Sequence, residues 1–206
     1  MPHSFGAYLI LYIMVDLFNY TRRASSVAHI GAIDLGGDNP IRIQSMTTTN
    51  TNDTEACVRQ AEEIIKAGGE LVRFTTQGSR EAENMKNINA GIRADGYQTP
   101  LVADVHFNPN VADVAALYCE KVRVNPGNYV DPARKFIKQE YTDEEYAHEL
   151  QKIEDRFVPF LNICKEHHTA IRIGVNHGSL SDRIRNRYGD TPEGIVESCL
   201  EFLRIC

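Results

Sequence analysis

Three short segments of this chain carry a guanidinium inside an apolar run: Val72-Arg73-Phe74-Thr75, Val122-Arg123-Val124-Asn125 and Ile171-Arg172-Ile173-Gly174-Val175-Asn176. A fourth, Ala103-Asp104-Val105-His106-Phe107, holds a carboxylate and an imidazole two residues apart. Side chains alternate faces along a strand, so each segment separates into a polar and an apolar face. Arg73 shares its face with Thr75, Asp104 with His106, Arg123 with Asn125, and Arg172 with Gly174 and Asn176. Val72, Phe74, Val105, Phe107, Val122, Val124, Ile171 and Ile173 take the other face, which suits packing against helices. One arginine in one strand is most simply an edge or salt-bridge residue. Three such strands, in phase with Asp-x-His, point to a site. Guanidiniums converging on an enclosed space are costly unless paired. Asp104 can neutralise one of the three. The complement for the others is an anionic ligand of more than one charge, and arginine grips phosphate oxygens in bidentate fashion.

The elements that must position these groups alternate along the chain. A short hairpin is expected over residues 27–30 and 32–35, ahead of the breaker cluster Gly36-Gly37-Asp38-Asn39-Pro40. Strands are expected over residues 41–46, 71–75, 101–107, 121–125 and 170–175. Helices are expected from Asp53 or Thr54 to Lys66, over 79–94, over 109–119, from a capping box at Thr142-x-x-Glu145 to about His168, and over 191–206. Pro159 should start or kink a second segment of the fourth helix. Strands alternating with helices imply right-handed crossovers and a parallel sheet. A dinucleotide-type open sheet calls for Gly-x-Gly-x-x-Gly after its first strand, whereas Thr47-Thr48-Thr49-Asn50-Thr51-Asn52 contains no glycine. The fold class is therefore read as α/β, a partial TIM (β/α)8 barrel of about five βα units preceded by an N-terminal β-hairpin. A complete barrel takes roughly 250 residues, and the chain has 206. The expected division is an extension outside the fold over 1–13, a hairpin cap over 14–40 and an incomplete barrel over 41–206. Catalytic groups of such barrels sit at the C-terminal mouth of the strands.

Composition narrows the partners. Lys plus Arg is 22 and Asp plus Glu is 28, a net charge of −6 that disfavours a broad nucleic-acid-binding face. The five cysteines (Cys57, Cys119, Cys164, Cys199, Cys206) contain no C-x-x-C pair, so spacing gives no metal site. Scattered and odd in number, they fit a reducing, cytoplasmic compartment. The apolar run from Ala7 to Val15 is too short to span a bilayer and lacks the basic flank of a signal peptide. No membrane partner is expected, with a membrane-surface anchor as the weaker alternative for residues 1–13. His29, His148, His167 and His168 read as surface residues, and His177 as either site-facing or solvated. Asp143-Glu144-Glu145 reads as a helix N-terminal charge cluster. Asn125-Pro126-Gly127-Asn128 reads either as a plain turn or, following a barrel strand, as a backbone cradle for a phosphate.

Four motifs recur in order: Ile43-Gln44-Ser45-Met46-Thr47, residues 101–107, Arg123-Val124-Asn125-Pro126-Gly127-Asn128, and residues 171–176 with Gly178-Ser179-Leu180. Over roughly residues 16–206 the chain resembles the 4-hydroxy-3-methylbut-2-enyl diphosphate synthases of the methylerythritol phosphate route to isoprenoids, in the large form found in Bacteroides-type bacteria and plastids. The resemblance implies a two-electron reductive ring opening of 2-C-methyl-D-erythritol 2,4-cyclodiphosphate to 4-hydroxy-3-methylbut-2-enyl diphosphate. It implies a TIM barrel that holds the cyclic diphosphate, a C-terminal domain with a [4Fe-4S] cluster, ferredoxin or flavodoxin as electron donor, and a possible homodimer. By motif, Arg73, Arg123 and Arg172 would grip the diphosphate. His106 and Asn176 would hydrogen-bond substrate oxygens, and Asp104 would orient the arginines or His106, or help a proton move. Asn125 and Asn128 join the substrate-binding set, and Gln44 and Ser45 would lie at the barrel floor or rim. The family's cluster ligands are three cysteines and a glutamate, and none of the five cysteines here falls in such a motif. The cluster is therefore expected to be bound outside these 206 residues, and the chain by itself to be inactive. Two other readings stand beside this one: a pterin-binding-type TIM-barrel synthase, and a non-catalytic truncated fragment.

Overall fold

The computed structural model describes residues 23–131 and 140–206. The extension expected over 1–13 and the start of the cap expected over 14–40 lie outside the described residues. An antiparallel hairpin comes first, β1 (Val27–Ile30) against β2 (Ile33–Gly36), with Ile30 opposite Ile33. Gly31, at φ +54°, supplies the positive φ that a two-residue hairpin turn needs. Strands then alternate with helices: β3 (Gln44–Met46), α1 (Thr54–Lys66), β4 (Leu71–Thr76), α2 (Ser79–Ala94), β5 (Leu101–Val105), α3 (Pro109–Ala116), β6 (Lys121–Val124), α4 (Asp143–Glu166) and β7 (Ala170–Ile173). Two more helices follow, α5 (Asp182–Tyr188) and α6 (Pro192–Leu203). The five strands β3 to β7 are parallel and pair in chain order, as successive crossovers require. β3 and β7 are the edges, and the described strands do not close into a barrel.

Local sequence sets the helix ends. The Asp53 carboxylate accepts from the Ala56 N–H at 3.0 Å and opens α1. The Asn108 side chain caps α3, with Pro109 in its first turn. Thr142 and Glu145 bond reciprocally at 3.2 and 2.8 Å, the capping box expected for α4.

One face of the sheet packs against helices. Val72, Phe74, Val105, Val122 and Val124 join Met85, Ile88 and Ile92 of α2, Phe157 and Phe160 of α4, and Phe202 of α6 in one core. The other face is closed from below by the hairpin: Ile30 packs on Leu71 and Val102, with Ile33 and Ala170 around them. Arg42 fixes the hairpin to the sheet, donating to the Asp34 carbonyl at 2.9 Å and to Glu70 at 2.8 Å. The other Glu70 oxygen accepts the Ile43 N–H at 2.8 Å. That backbone bond, followed by Arg42, holds the Glu70 carboxyl below its ordinary range.

The element order follows the sequence expectation, with local differences. The strand expected over 41–46 shrinks to Gln44–Met46: Ile41 and Ile43 are 83% and 60% exposed, and the Ile43 N–H goes to the Glu70 carboxylate instead of a ladder carbonyl. The strand expected over 101–107 ends at Val105, and Phe107 is 63% exposed rather than packed against helices. The chain turns away there because Asn108 must extend to cap α3. α4 runs through Pro159 as one helix, not as two segments. Pro159 and Asp155, whose carbonyl loses its partner, both lie on the exposed face where water can serve it, while Phe157 and Phe160 anchor the buried side.

Phe157 is fully buried, with ring centroids 5.5 Å from Tyr129, 5.7 Å from Phe160 and 5.0 Å from Phe202. Phe157→Ala should cost about 3–5 kcal/mol of stability, read by urea unfolding. A loss below about 1 kcal/mol would show that α4 and α6 do not depend on this cluster.

Candidate functional site

Strand register brings the polar residues together. Asp104 on β5 lies opposite Arg123 on β6, and Arg123 opposite Arg172 on β7. Thr75 on β4 lies opposite Asp104, and Arg73 is two residues before it on the same face. Asp104 is buried, 1% exposed, and its two oxygens serve different arginines. Oδ2 accepts from Arg73 Nη2, and Oδ1 accepts from Arg123 Nη1 at 3.2 Å. His106 Nε2 stands 3.6 Å from the same Oδ2. Asp104, expected to neutralise one arginine, bonds to two, and its single charge still leaves one positive charge on the pair.

Arg123 is held hardest. Its Nη2 donates to the Gly174 carbonyl at 2.5 Å. A Cβ on Gly174 would sit 1.9 Å from Arg123 Nε, so this close passage requires glycine. Burial pulls the Arg123 guanidinium below its ordinary value, with Asp104 opposing and Arg73 adding to the pull. Arg172 is exposed, with no hydrogen bond or ion pair to a described residue. The buried Arg73 Nε–H and the His106 Nδ1 ring nitrogen have no partner among the described residues.

The loops above the strands form a second layer. Asn125 is buried, and its amide pairs with the Ser179 hydroxyl at 2.9 and 3.1 Å. The Asn176 side chain accepts the Gly178 N–H at 2.9 Å and shapes the turn His177–Ser179. The Asn128 N–H donates to the Asn125 carbonyl at 3.1 Å, so this donor of the supposed phosphate cradle is used within its own turn. The two loops touch so closely that a Cβ on Gly127 would lie 1.6 Å from the Ser179 carbonyl oxygen.

Some expected residues are not brought to the cluster. Ser45 pairs in register with Val72, which belongs to the helix-facing core, so Ser45 lies on the opposite face from Arg73 and is exposed. Gln44 pairs with Leu71 on the inner face, near the floor. His177 binds Asp190 at 2.6 Å, and Arg185 binds the same carboxylate at 3.0 Å. Sequence reasoning missed a buried network behind the loops, because α5 was not foreseen. Arg183, 2% exposed, donates to both oxygens of Glu201 at 2.7 and 2.8 Å and to Asp131 at 3.1 and 3.2 Å. Tyr146 also donates to Glu201. These bonds tie the segment after β6 to α4, α5 and α6. Lys121 was missed as well: it shares the face of Arg123 and Asn125 by the same period of two, but a lysine opening a strand reads as solvent-facing.

Residues 25–206 match the model of the GcpE TIM-barrel domain. The chain belongs to the GcpE family. A protein of Phocaeicola vulgatus named 4-hydroxy-3-methylbut-2-en-1-yl diphosphate synthase (flavodoxin) is 77% identical over 192 residues, which are 93% of this chain and 31% of that protein. The Bacteroides thetaiotaomicron protein of the same name is 76% identical over 192 residues, 93% of this chain and 31% of its own length. The Akkermansia muciniphila one is 52% identical over 188 residues, 91% of this chain and 32% of its own. The chain therefore spans about a third of the length of these curated relatives. The family resemblance seen in the four motifs stands confirmed, and the pterin-binding alternative is set aside.

An iron–sulfur cluster does not fit the described part of this GcpE barrel. No three His, Cys, Asp or Glu side chains group to hold a metal ion among the described residues. Cys57, Cys119 and Cys164 are buried apart in the core, and Cys57 is engaged by Thr49 Oγ1 at 3.2 Å and the Asn50 carbonyl at 3.3 Å. Burial raises all three thiols above their ordinary value, Cys164 to about 12.

Two predictions follow from this geometry. Gly174→Ala should force Arg123 off the Gly174 carbonyl and Asp104 and lower stability by about 1–3 kcal/mol in urea unfolding. An unchanged midpoint would mean that Arg123 can move without loss. Thiols held protonated are slow nucleophiles, so brief alkylation of the folded chain at pH 8 should label the exposed Cys206 and leave Cys57, Cys119 and Cys164 unmodified, as read by peptide mass spectrometry. Equal labelling of all would contradict the described core.

Proposed function

We propose that this chain forms part of the substrate-binding barrel of a 4-hydroxy-3-methylbut-2-enyl diphosphate synthase. Its substrate is 2-C-methyl-D-erythritol 2,4-cyclodiphosphate and its reaction a two-electron reductive ring opening, in the cytoplasm. The observation that carries the reading is the charge balance of the inner face: among the described residues the four cations Arg73, Arg123, Arg172 and Lys121 stand against one carboxylate, Asp104, which pairs with Arg73 and Arg123. A cyclic diphosphate is a compact dianion that meets such an excess.

In this reading the chain supplies position and field. Arg73 and Arg123, locked edge to edge by Asp104, present their remaining N–H groups in fixed planes. Arg172, held by no carboxylate, closes on the ligand from the β7 side. His106 and Asn176 contact substrate oxygens, with the half-buried His106 ring set beside Asp104. Asn125 and Asn128 shape the loop over the diphosphate. The reaction's electrons come from a [4Fe-4S] cluster, which the described residues do not hold, and from flavodoxin, the donor in the relatives' names. A homodimer completes the proposal.

The test uses a chimera in which residues 25–206 replace the matching segment of the Phocaeicola vulgatus protein. Arg172→Met in that chimera should raise KM for the cyclic diphosphate about tenfold or more, each factor of ten being about 1.4 kcal/mol. Turnover with an unchanged KM would remove Arg172 from the site. A soluble, cluster-loaded chimera that never reduces the cyclic diphosphate would overturn the substrate reading.

A further inference from the structure

We infer that Lys121 is a fourth anion-holding residue on the floor of the inner-face cluster, adding its charge to that of Arg172 and to the one positive charge that Asp104 leaves on Arg73 and Arg123, so that together they meet a diphosphate ligand. The inference rests on the proposed cyclic-diphosphate reading and deepens it.

Lys121 opens β6, opposite Val102 on β5 and Ala170 on β7. Its neighbour Val122 belongs to the helix-facing core, so the Lys121 side chain lies on the inner face. It is 8% exposed. Val102 and Ala170 flank it at its own level and belong, with Ile30 and Leu71, to an apolar floor that suits a four-carbon stem. No hydrogen bond or ion pair with a described residue reaches its ammonium. Burial, then repulsion by Arg172 and Arg73, pushes that ammonium below the usual lysine range. The inner-face carboxylate, Asp104, is taken by Arg73 and Arg123. Glu120, next in the chain, is taken by Arg93 at 2.7 Å and by the Leu101 N–H at 2.7 Å.

A charge this buried is retained only with a counter-ion. Asp104 serves both Arg73 and Arg123 and leaves one positive charge between them, while Lys121 and Arg172 have no carboxylate among the described residues. The ligand class that fits is a diphosphate, whose two anionic groups can engage the floor ammonium and the β7 guanidinium together. A compact ammonium is also the cation that fits beneath a ligand, where a planar guanidinium would need a wider cleft.

The same chimera decides it. The unsubstituted protein and Lys121→Met are unfolded by heat without ligand, with inorganic diphosphate and with the cyclic diphosphate, and Kd is measured for each anion. Without ligand, Lys121→Met should unfold at the same or a higher temperature, because an uncompensated buried cation is gone. It should lose most of the ligand-induced rise and bind both anions about tenfold more weakly or worse, with Lys121→Arg recovering part of the affinity. A ligand-free Lys121→Met protein that is markedly less stable, or fails to fold, would overturn the inference, since Lys121 would then pair with a carboxylate of the protein. An unchanged Kd would overturn it equally. An unsubstituted chimera stabilised by inorganic diphosphate but not by the cyclic compound would defeat the substrate reading while leaving the role of Lys121 standing. Stabilisation by neither would defeat both.

Discussion

The inner face of this sheet is organised by one carboxylate. Asp104 is almost wholly buried and accepts from Arg73 on one side and Arg123 on the other. A buried carboxylate left alone would shed its charge, and two buried guanidiniums left alone would not stay buried. Held together, they tie three adjacent strands to one another, and they fix the planes in which the arginines offer their remaining donors. Arg123 then reaches over to the Gly174 carbonyl, which extends the same constraint to the chain beyond β7. Gly174 has no side chain for that reason, and His106 stands beside the same carboxylate.

That polar layer depends on apolar layers above and below it in the protein's economy of burial. Below, the hairpin seats Ile30 on Leu71 and Val102 and keeps water from entering the sheet from its N-terminal end. On the outer face, the valines that alternate with the arginines pack on α2 and α4. Alternation gives each strand both jobs at once: Arg73, Asp104, Arg123 and Arg172 are each flanked by two apolar residues that anchor the strand from behind. At the far end, the Arg183 network with Asp131, Glu201 and Tyr146 holds the segment after β6 against three helices. The loop carrying Asn125 and Gly127 therefore starts from a fixed strand and returns to a fixed anchor.

Most of this was readable because it rests on short-range periodicity. Arg73, Asp104 and Arg123 fall on one face by counting in twos, and the order of strands and helices follows from turn glycines, caps and apolar runs. What the sequence did not show depends on register between strands. Whether Ser45 joins Arg73 turns on a pairing that sets Ser45 opposite Val72, and a shift of one residue would reverse it. The sharing of Asp104 between two arginines is likewise a relation among three strands, invisible within any one. Phe107 was read as a strand residue by alternation, yet the need of α3 for its Asn108 cap ends the strand before it. Helix α5 escaped notice because seven residues capped by Ser181 carry too little periodicity to distinguish from a loop.

Register also explains why Lys121 and Arg172 differ from the other two cations. Both lie on the inner face, but Lys121 sits one step below the level of Asp104, and Arg172 sits beyond Arg123 from it. Arg73 and Arg123 flank the carboxylate and consume it. Lys121 carries its charge at a cost to the folded chain, since burial and the nearby arginines act on it without a carboxylate partner among the described residues. A fold selected for stability alone would replace Lys121 with an apolar residue matching Val102 and Ala170 on either side. In the binding role proposed for Lys121, that cost in the empty protein becomes affinity when an anion arrives.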